Sequence, residues 1–124
     1  CVVDCGTAIT IDALDADGRH LGGVIFPGVQ LMREALYRDT QQIPAAAGEV
    51  MLFGKTTQDC VWGGVVHAVA AAIDGITAQM ESTQNRTVYR LLTGGGAETV
   101  LPYLQNSYHL EPDLLFHGLL TIAG

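Results

Sequence analysis

At 124 residues, 48% of them apolar, the chain has material for one modest hydrophobic core, and its composition excludes disorder. The formal net charge of −7, with only six Lys and Arg scattered along the chain, lacks the basic stripe of a nucleic-acid binder. No apolar run reaches the roughly 18 to 20 residues of a membrane span, and Cys1-Val2-Val3-Asp4 has no basic leader, so a soluble cytoplasmic protein is expected.

Three strands are expected in succession. Cys1-Val2-Val3 reads as a buried strand already under way, which implies sequence upstream of residue 1. Residues 8–14 are β-branched with partial alternation, Asp15-Ala16-Asp17-Gly18 is a turn signal, and residues 19–26 return as a third strand. Pro27-Gly28 interrupts, and Val29, Met32 and Leu36 then recur with a helical period over 29–38. Residues 39–51, with Pro44 and Gly48, read as loop. The longest helical pattern runs over 56–80, opening on the capping residues Thr56, Thr57 and Asp59. Its centre, 61–73, is apolar on nearly every face and must be covered by the core or by a partner subunit. A strand over 88–92, a Thr93-Gly94-Gly95-Gly96 turn and a helix over 97–104 follow. A short strand over 108–110 and a helix over 112–122 close the chain.

Three cysteines with no CxxC pair, and four histidines with none at ligand spacing, give no zinc pattern and read as reduced thiols, at least one buried. The chemistry-bearing segments are elsewhere. In Asp4-Cys5-Gly6-Thr7-Ala8-Ile9-Thr10 a carboxylate ends a strand and Gly and Thr occupy the following turn. Such a turn brings backbone and hydroxyl close to phosphate oxygens while the carboxylate holds a cation; an ordinary hairpin with Thr7 bonding its own backbone is the plainer alternative. Thr93-Gly94-Gly95-Gly96, between a strand and a helix, can admit a flat ring or a phosphate against the backbone, or serve only as a tight turn. Gly54-Lys55-Thr56-Thr57 is not a P-loop, because Glu49 stands where the upstream glycine is required. An anionic ligand remains compatible with the acidic chain, since backbone N–H groups and a metal can hold it.

Together, Asp4-x-Gly6-Thr7-Ala8-x-Thr10, Gly22-Gly23-x-Ile25-x-Pro27-Gly28, Gly54-Lys55-x-Thr57, Thr93-Gly94-Gly95 and Pro112-Asp113-Leu114…Gly118-Leu119 resemble, in this order, the type III pantothenate kinases, also called Bvg accessory factor-like proteins. The resemblance spans the chain. It implies an α/β fold, the ribonuclease H-like half of the actin-like ATPase fold, and a chain that is the C-terminal domain of a two-domain enzyme.

The family implies ATP with Mg²⁺ as phosphoryl donor, pantothenate as acceptor in the first step of coenzyme A synthesis, and a homodimer. By resemblance, Asp4 binds the monovalent cation, K⁺ or NH₄⁺. Gly6 and Thr7 contact the ATP phosphates, and Thr93, Gly94 and Gly95 the adenosine side. Thr57 touches pantothenate across the dimer interface. The family's Asp-x-Gly-Asn-Thr loop and the Gly-x-Asp-Arg segment with its general base are absent here, so no catalytic base is expected in this chain and the fragment should be inactive alone. The family's older name carries a second reading, a non-catalytic transcriptional accessory protein, against which the acidic charge stands.

Overall fold

A computed structural model describes residues 1–39 and 48–112. Strands β1 (Val2–Cys5), β2 (Ala8–Leu14) and β3 (His20–Pro27) form an antiparallel meander. Helices α1 (Val29–Asp39) and α2 (Thr57–Gln84) then precede β4 (Leu91–Thr93), α3 (Ala97–Val100) with a 3₁₀ turn over Leu101–Tyr103, and β5 (His109–Leu110). The sheet order is β3-β2-β1-β4-β5, with β4 parallel to both β1 and β5. Three antiparallel strands extended by parallel ones through helical crossovers is the ribonuclease H-like arrangement that the sequence led us to expect.

Period-2 alternation accounts for β2. Ile9, Ile11 and Ala13 are buried while Ala8, Thr10 and Asp12 face the other way. Val3 and Cys5 of β1 and Leu92 of β4 join Ile9 and Ile11 in one cluster, closed by Val69 and Ile73 of α2 and by Ala97 and Val100. Helix α2 turns Val61, Val65, Val69, Ile73 and Thr77 inward, a four-residue spacing that keeps one stripe on the sheet. Its other face, including Gly64, Ala68, Ala71 and Gly75, is exposed. The helix is 28 residues long and, by length and composition, sufficient to cross a membrane. Asp59 and Asp74 interrupt it, so the helix reaches that measure by average composition and not by an unbroken apolar run. Here its inner stripe is spent on the sheet.

The ends of α2 follow from caps. Thr56 accepts a hydrogen bond from the Asp59 backbone N–H at 3.1 Å. Asn85, left-handed with φ of 53°, donates its N–H to the Glu81 and Ser82 carbonyls. The helix therefore runs four residues past the expected end. Strand β4 begins at Leu91 rather than 88, because Val88 N–H donates to Glu81 instead of to a strand. The helix expected over 97–104 changes to 3₁₀ at Leu101, since Pro102 has no N–H for the carbonyl four residues back. The helix expected over 112–122, and most of the loop expected over 39–51, lie outside the described residues.

A polar cluster ties α2 to the segment before β5. The Asp74 carboxylate accepts from the backbone N–H groups of Gln105 (2.7 Å) and Asn106 (3.3 Å) and from the Tyr108 hydroxyl (2.8 Å). Tyr108 also meets the Thr77 hydroxyl at 3.1 Å, and Arg90 donates to Thr77 and pairs with Glu81. Burial, reinforced by Asp74 and opposed by the Thr77 hydrogen bond and Arg90, pushes the Tyr108 phenol up to about 12. The unfolded chain ionises this group near its ordinary value of 10.0, so the folded state binds the extra proton above that pH. Stability is therefore fully present below about pH 10 and falls as pH rises toward 12, by about 1 kcal/mol after allowance for partial solvent exposure. Denaturant unfolding at pH 8 and 11 should show this loss, and Tyr108→Phe should remove it.

Candidate functional site

The C-terminal ends of parallel strands are where open α/β sheets bind ligands, because the loops leaving them diverge. Here β1 and β4 are those strands, and their register sets Asp4 beside Thr93. Thr10 of β2 lies across from Asp4 on the other side. Asp4 is exposed and Thr93 is buried, so the row presents a carboxylate at its surface above a sheltered threonine.

Two turns flank this row. The β1–β2 turn carries Gly6 and Thr7, both exposed. It is held from beneath by Gly28, whose N–H donates to the Thr7 carbonyl at 2.9 Å. A Cβ on Gly28 would lie 2.6 Å from both the Gly6 and Thr7 carbonyl oxygens, so only glycine permits this support. The Pro27-Gly28 punctuation in the sequence thus has a structural purpose. The second turn, Gly94 to Gly96, folds back on β1, where Gly96 N–H donates to the Cys5 carbonyl at 2.8 Å. Gly94 has φ of +97°, and a Cβ there would fall 2.5 Å from Asp4 Oδ1 and 2.6 Å from the Cys5 carbonyl carbon. Gly95 differs: no atom lies within 4 Å of where its Cβ would project. Neither packing nor a left-handed backbone requires glycine at that position.

Gly95 borders two cavities. One, about 450 Å³, contains Asp4, Thr93, Gly94 and Glu98, with Leu110 and Pro112 as its apolar wall. The other, about 490 Å³, contains Gly6 and Thr7 with Gln30, Trp62 and Thr99. The sequence-predicted residues Asp4, Gly6, Thr7, Thr93, Gly94 and Gly95 therefore share one end of the sheet. Thr57 does not join them. It opens α2 at the edge of a third, larger cavity of about 830 Å³ between α1 and α2, beside Lys55, Arg38 and Leu36.

Sequence reasoning missed Gln30, Trp62 and Glu98. Arg33 organises the first two: its guanidinium stacks 4.2 Å from the Trp62 ring and donates to Gln30 Oε1 at 2.8 Å. The signals were slight, a single tryptophan within an apolar helix and an acid two residues past the glycine run. Cys5, under Asp4, is inert. Burial, with the charge of Asp4 adding to it, pushes its thiol up to about 12, so it remains protonated. Among the described residues neither cavity has lysine or arginine at its walls, so an anion entering the Asp4 cavity on those walls must bring or meet a cation.

The fold is that of a mixed α/β domain with a five-stranded ribonuclease H-like sheet, of the kind found in nucleotide-binding proteins. Comparison with known proteins then fixes the family: the model of the type III pantothenate kinase family matches residues 1–79. Type III pantothenate kinase of Dichelobacter nodosus is 42% identical over 96% of this chain and 48% of its own length. That of Thiobacillus denitrificans is 38% identical over 98% of this chain and 50% of its own. A solved structure from Campylobacter jejuni, described as a Baf family transcriptional activator, superposes with a TM-score of 0.69 at 25% identity, covering 98% of this chain and 55% of that one. The chain belongs to the type III pantothenate kinase family. It spans about half the length of the curated relatives it matches.

The glycine turn yields a direct test. Gly94→Ala should lower stability by about 2 kcal/mol, because the new Cβ meets backbone and strains a left-handed φ. Gly95→Ala should change stability by less than about 0.5 kcal/mol, the range of substitutions that touch nothing. Paired thermal unfolding curves measure the contrast.

Proposed function

We propose that this chain is the C-terminal half of a pantothenate kinase, transferring the γ-phosphoryl of ATP to pantothenate to give 4′-phosphopantothenate. The observation that carries the reading is the row of Asp4 and Thr93 on adjacent parallel strands, flanked by the Gly6-Thr7 and Gly94-Gly95 turns. Phosphoryl transfer needs positioning and charge stabilisation more than covalent chemistry, and this end of the sheet is built for positioning.

In this reading Thr7 donates its hydroxyl to a phosphate oxygen and Gly6 lets the chain approach. Asp4 holds K⁺ or NH₄⁺, and Thr93, Gly94 and Gly95 receive the nucleoside. The donor set fits such ions: an exposed carboxylate and hydroxyl oxygens, with no basic side chain among the described residues of the cavity walls. Bound Mg²⁺ supplies charge neutralisation of the phosphates. The base that takes the pantothenate hydroxyl proton belongs to an N-terminal half, so this chain alone is inactive. As the P–O bond to ADP breaks, the acceptor oxygen takes the phosphoryl group.

A homodimer completes the proposal. Gly64 and Gly75 project into open space from an exposed small-residue face of α2, although mid-helix glycine costs about 1 kcal/mol relative to Ala. Close approach by a second subunit gives that cost a return. Thr57, on the α1–α2 cavity and apart from Asp4, would then serve the partner's acceptor site.

The test is ADP release by the complete protein, with and without pantothenate and K⁺, beside this chain alone. Release that requires pantothenate, with the chain alone silent, is expected. Asp4→Asn should abolish K⁺ stimulation, at a loss of at least tenfold in kcat/KM. Release indifferent to pantothenate removes the assignment. For the dimer, Ala68→Arg should halve the mass measured by sedimentation and raise the KM for pantothenate. An unchanged mass clears α2 of an interface role.

A further inference from the structure

The contact between α1 and α2 buries a charge. Arg33 is only 8% exposed, and a guanidinium so far from water must be compensated by its neighbours. Its face lies 4.2 Å from the Trp62 ring centre, and two of its nitrogens reach the Tyr37 hydroxyl at 3.4 Å. A terminal N–H group donates to Gln30 Oε1 at 2.8 Å. A guanidinium has only donors, so the atom of the Gln30 amide that faces it is the oxygen. The amide nitrogen is thereby turned from Arg33, and among the described residues nothing accepts from it.

Gln30 and Trp62 both line the cavity of about 490 Å³ that contains Gly6 and Thr7. The reason is local. Gly28 N–H donates to the Thr7 carbonyl, so the start of α1 lies against the Gly6-Thr7 turn, and Gln30 follows two residues later. Among the described residues the walls carry uncharged donors and no carboxylate: the Thr7 and Thr99 hydroxyls, the Trp62 indole N–H and the Gln30 amide. The neighbouring cavity is the opposite case, with Asp4 and Glu98 on its walls. Phosphate oxygens are negative and accept hydrogen bonds, so they are repelled there and unopposed beside Thr7. The hydrogen bond from Arg33 also polarises the Gln30 amide, which makes its N–H groups stronger donors.

We propose that Gln30 is a further phosphate-binding residue, its amide N–H₂ donating to a phosphate oxygen beside the Thr7 hydroxyl, and that Arg33 is the positioning residue that fixes this amide. The inference rests on the nucleotide reading above and adds to it two residues outside the β1–β2 turn. Arg33 acts from behind the cavity wall, without touching the ligand. Deleting a hydrogen bond to a charged group weakens binding by about tenfold or more.

The experiment is calorimetric titration of the complete protein with ATP and Mg²⁺, comparing wild type, Gln30→Ala and Gln30→Glu, with thermal unfolding of each alongside. Gln30→Ala should bind about tenfold more weakly, at a melting temperature within about 2 °C of wild type. Gln30→Glu keeps the oxygen that accepts from Arg33 but has no N–H₂, and should lose at least as much. Binding by Gln30→Glu as tight as wild type overturns the proposal. So does a loss confined to Gln30→Glu, which would be charge repulsion at a distance. A loss in Gln30→Ala that comes with a larger fall in melting temperature also overturns it, assigning Gln30 to bracing Arg33. Arg33→Met should weaken binding alone and add nothing to Gln30→Ala, because it acts through that amide. A full further loss in the double variant removes the positioning role. Wild-type protein that binds no ATP removes the underlying nucleotide reading instead, an outcome distinct from these.

Discussion

Three residues of parallel pairing between β1 and β4 hold the two ends of the candidate site together. Val2, Val3 and Asp4 run beside Leu91, Leu92 and Thr93, and the pairing would be weak if it ended there. It does not. Past the last strand residue, the chain turns back at Gly94, lies against the Asp4 carboxylate and Cys5 backbone, and returns a hydrogen bond from Gly96 to Cys5. The turn that leaves β4 is thereby anchored on the strand that leads to the Gly6-Thr7 turn. Any displacement of β4 would move both turns, so site geometry and sheet register are one constraint.

Helix α2 enforces that register from behind. Val69 and Ile73 share one buried cluster with Val3, Cys5, Ile9, Ile11 and Leu92, so the helix packs on the sheet face that β1, β2 and β4 make together. Further along the same helix, Thr77 and Asp74 exchange hydrogen bonds with Tyr108 and Arg90, which flank β5 and β4. The apolar contacts supply most of the stabilisation, being proportional to area removed from water. The polar contacts are directional and determine where along the helix axis the sheet sits. A sheet held only by valines and isoleucines could slide by a fraction of a turn; one held by Asp74 to two backbone N–H groups cannot do so without leaving them unpaired.

Much of this was legible in the sequence where local chemistry and tertiary need agree. The β-branched alternation over Ala8–Leu14 gave a strand with those bounds, and the Thr93 glycine run gave a turn that proves to border the Asp4 row. What escaped depended on partners far along the chain. Val88 looks like strand but donates to Glu81, seven residues earlier, and so lies outside β4. Pro102 was visible, yet whether it would end the helix or bend it into 3₁₀ depended on packing of Leu101 and Leu104 against the core. The lining role of Gln30 and Trp62 was hidden most deeply, because it requires Arg33 to bring α1 and α2 together. No spacing rule links residues 30 and 62.

The acidity of the chain acquires a physical meaning at this end of the sheet. A net charge of −7 opposes binding of a polyphosphate, and the local walls make it no easier, since among the described residues Asp4 and Glu98 are the charged groups of the cavity that contains Thr93. Affinity there has to come from backbone N–H groups, from cations that arrive with or before the ligand, and from apolar contact with a base. The backbone N–H groups and the apolar contact do not depend on the sign of the protein's net charge, and an acidic surface favours the cations. Each also works poorly alone, because water and salt in an open cavity screen a carboxylate-bound monovalent cation and compete for exposed N–H groups. A second domain closing over the strand ends would exclude water and strengthen all three at once. On the proposed reading, dependence on a cation and on another half of the protein have the same origin: a site that binds an anion without basic side chains must be enclosed to bind it well.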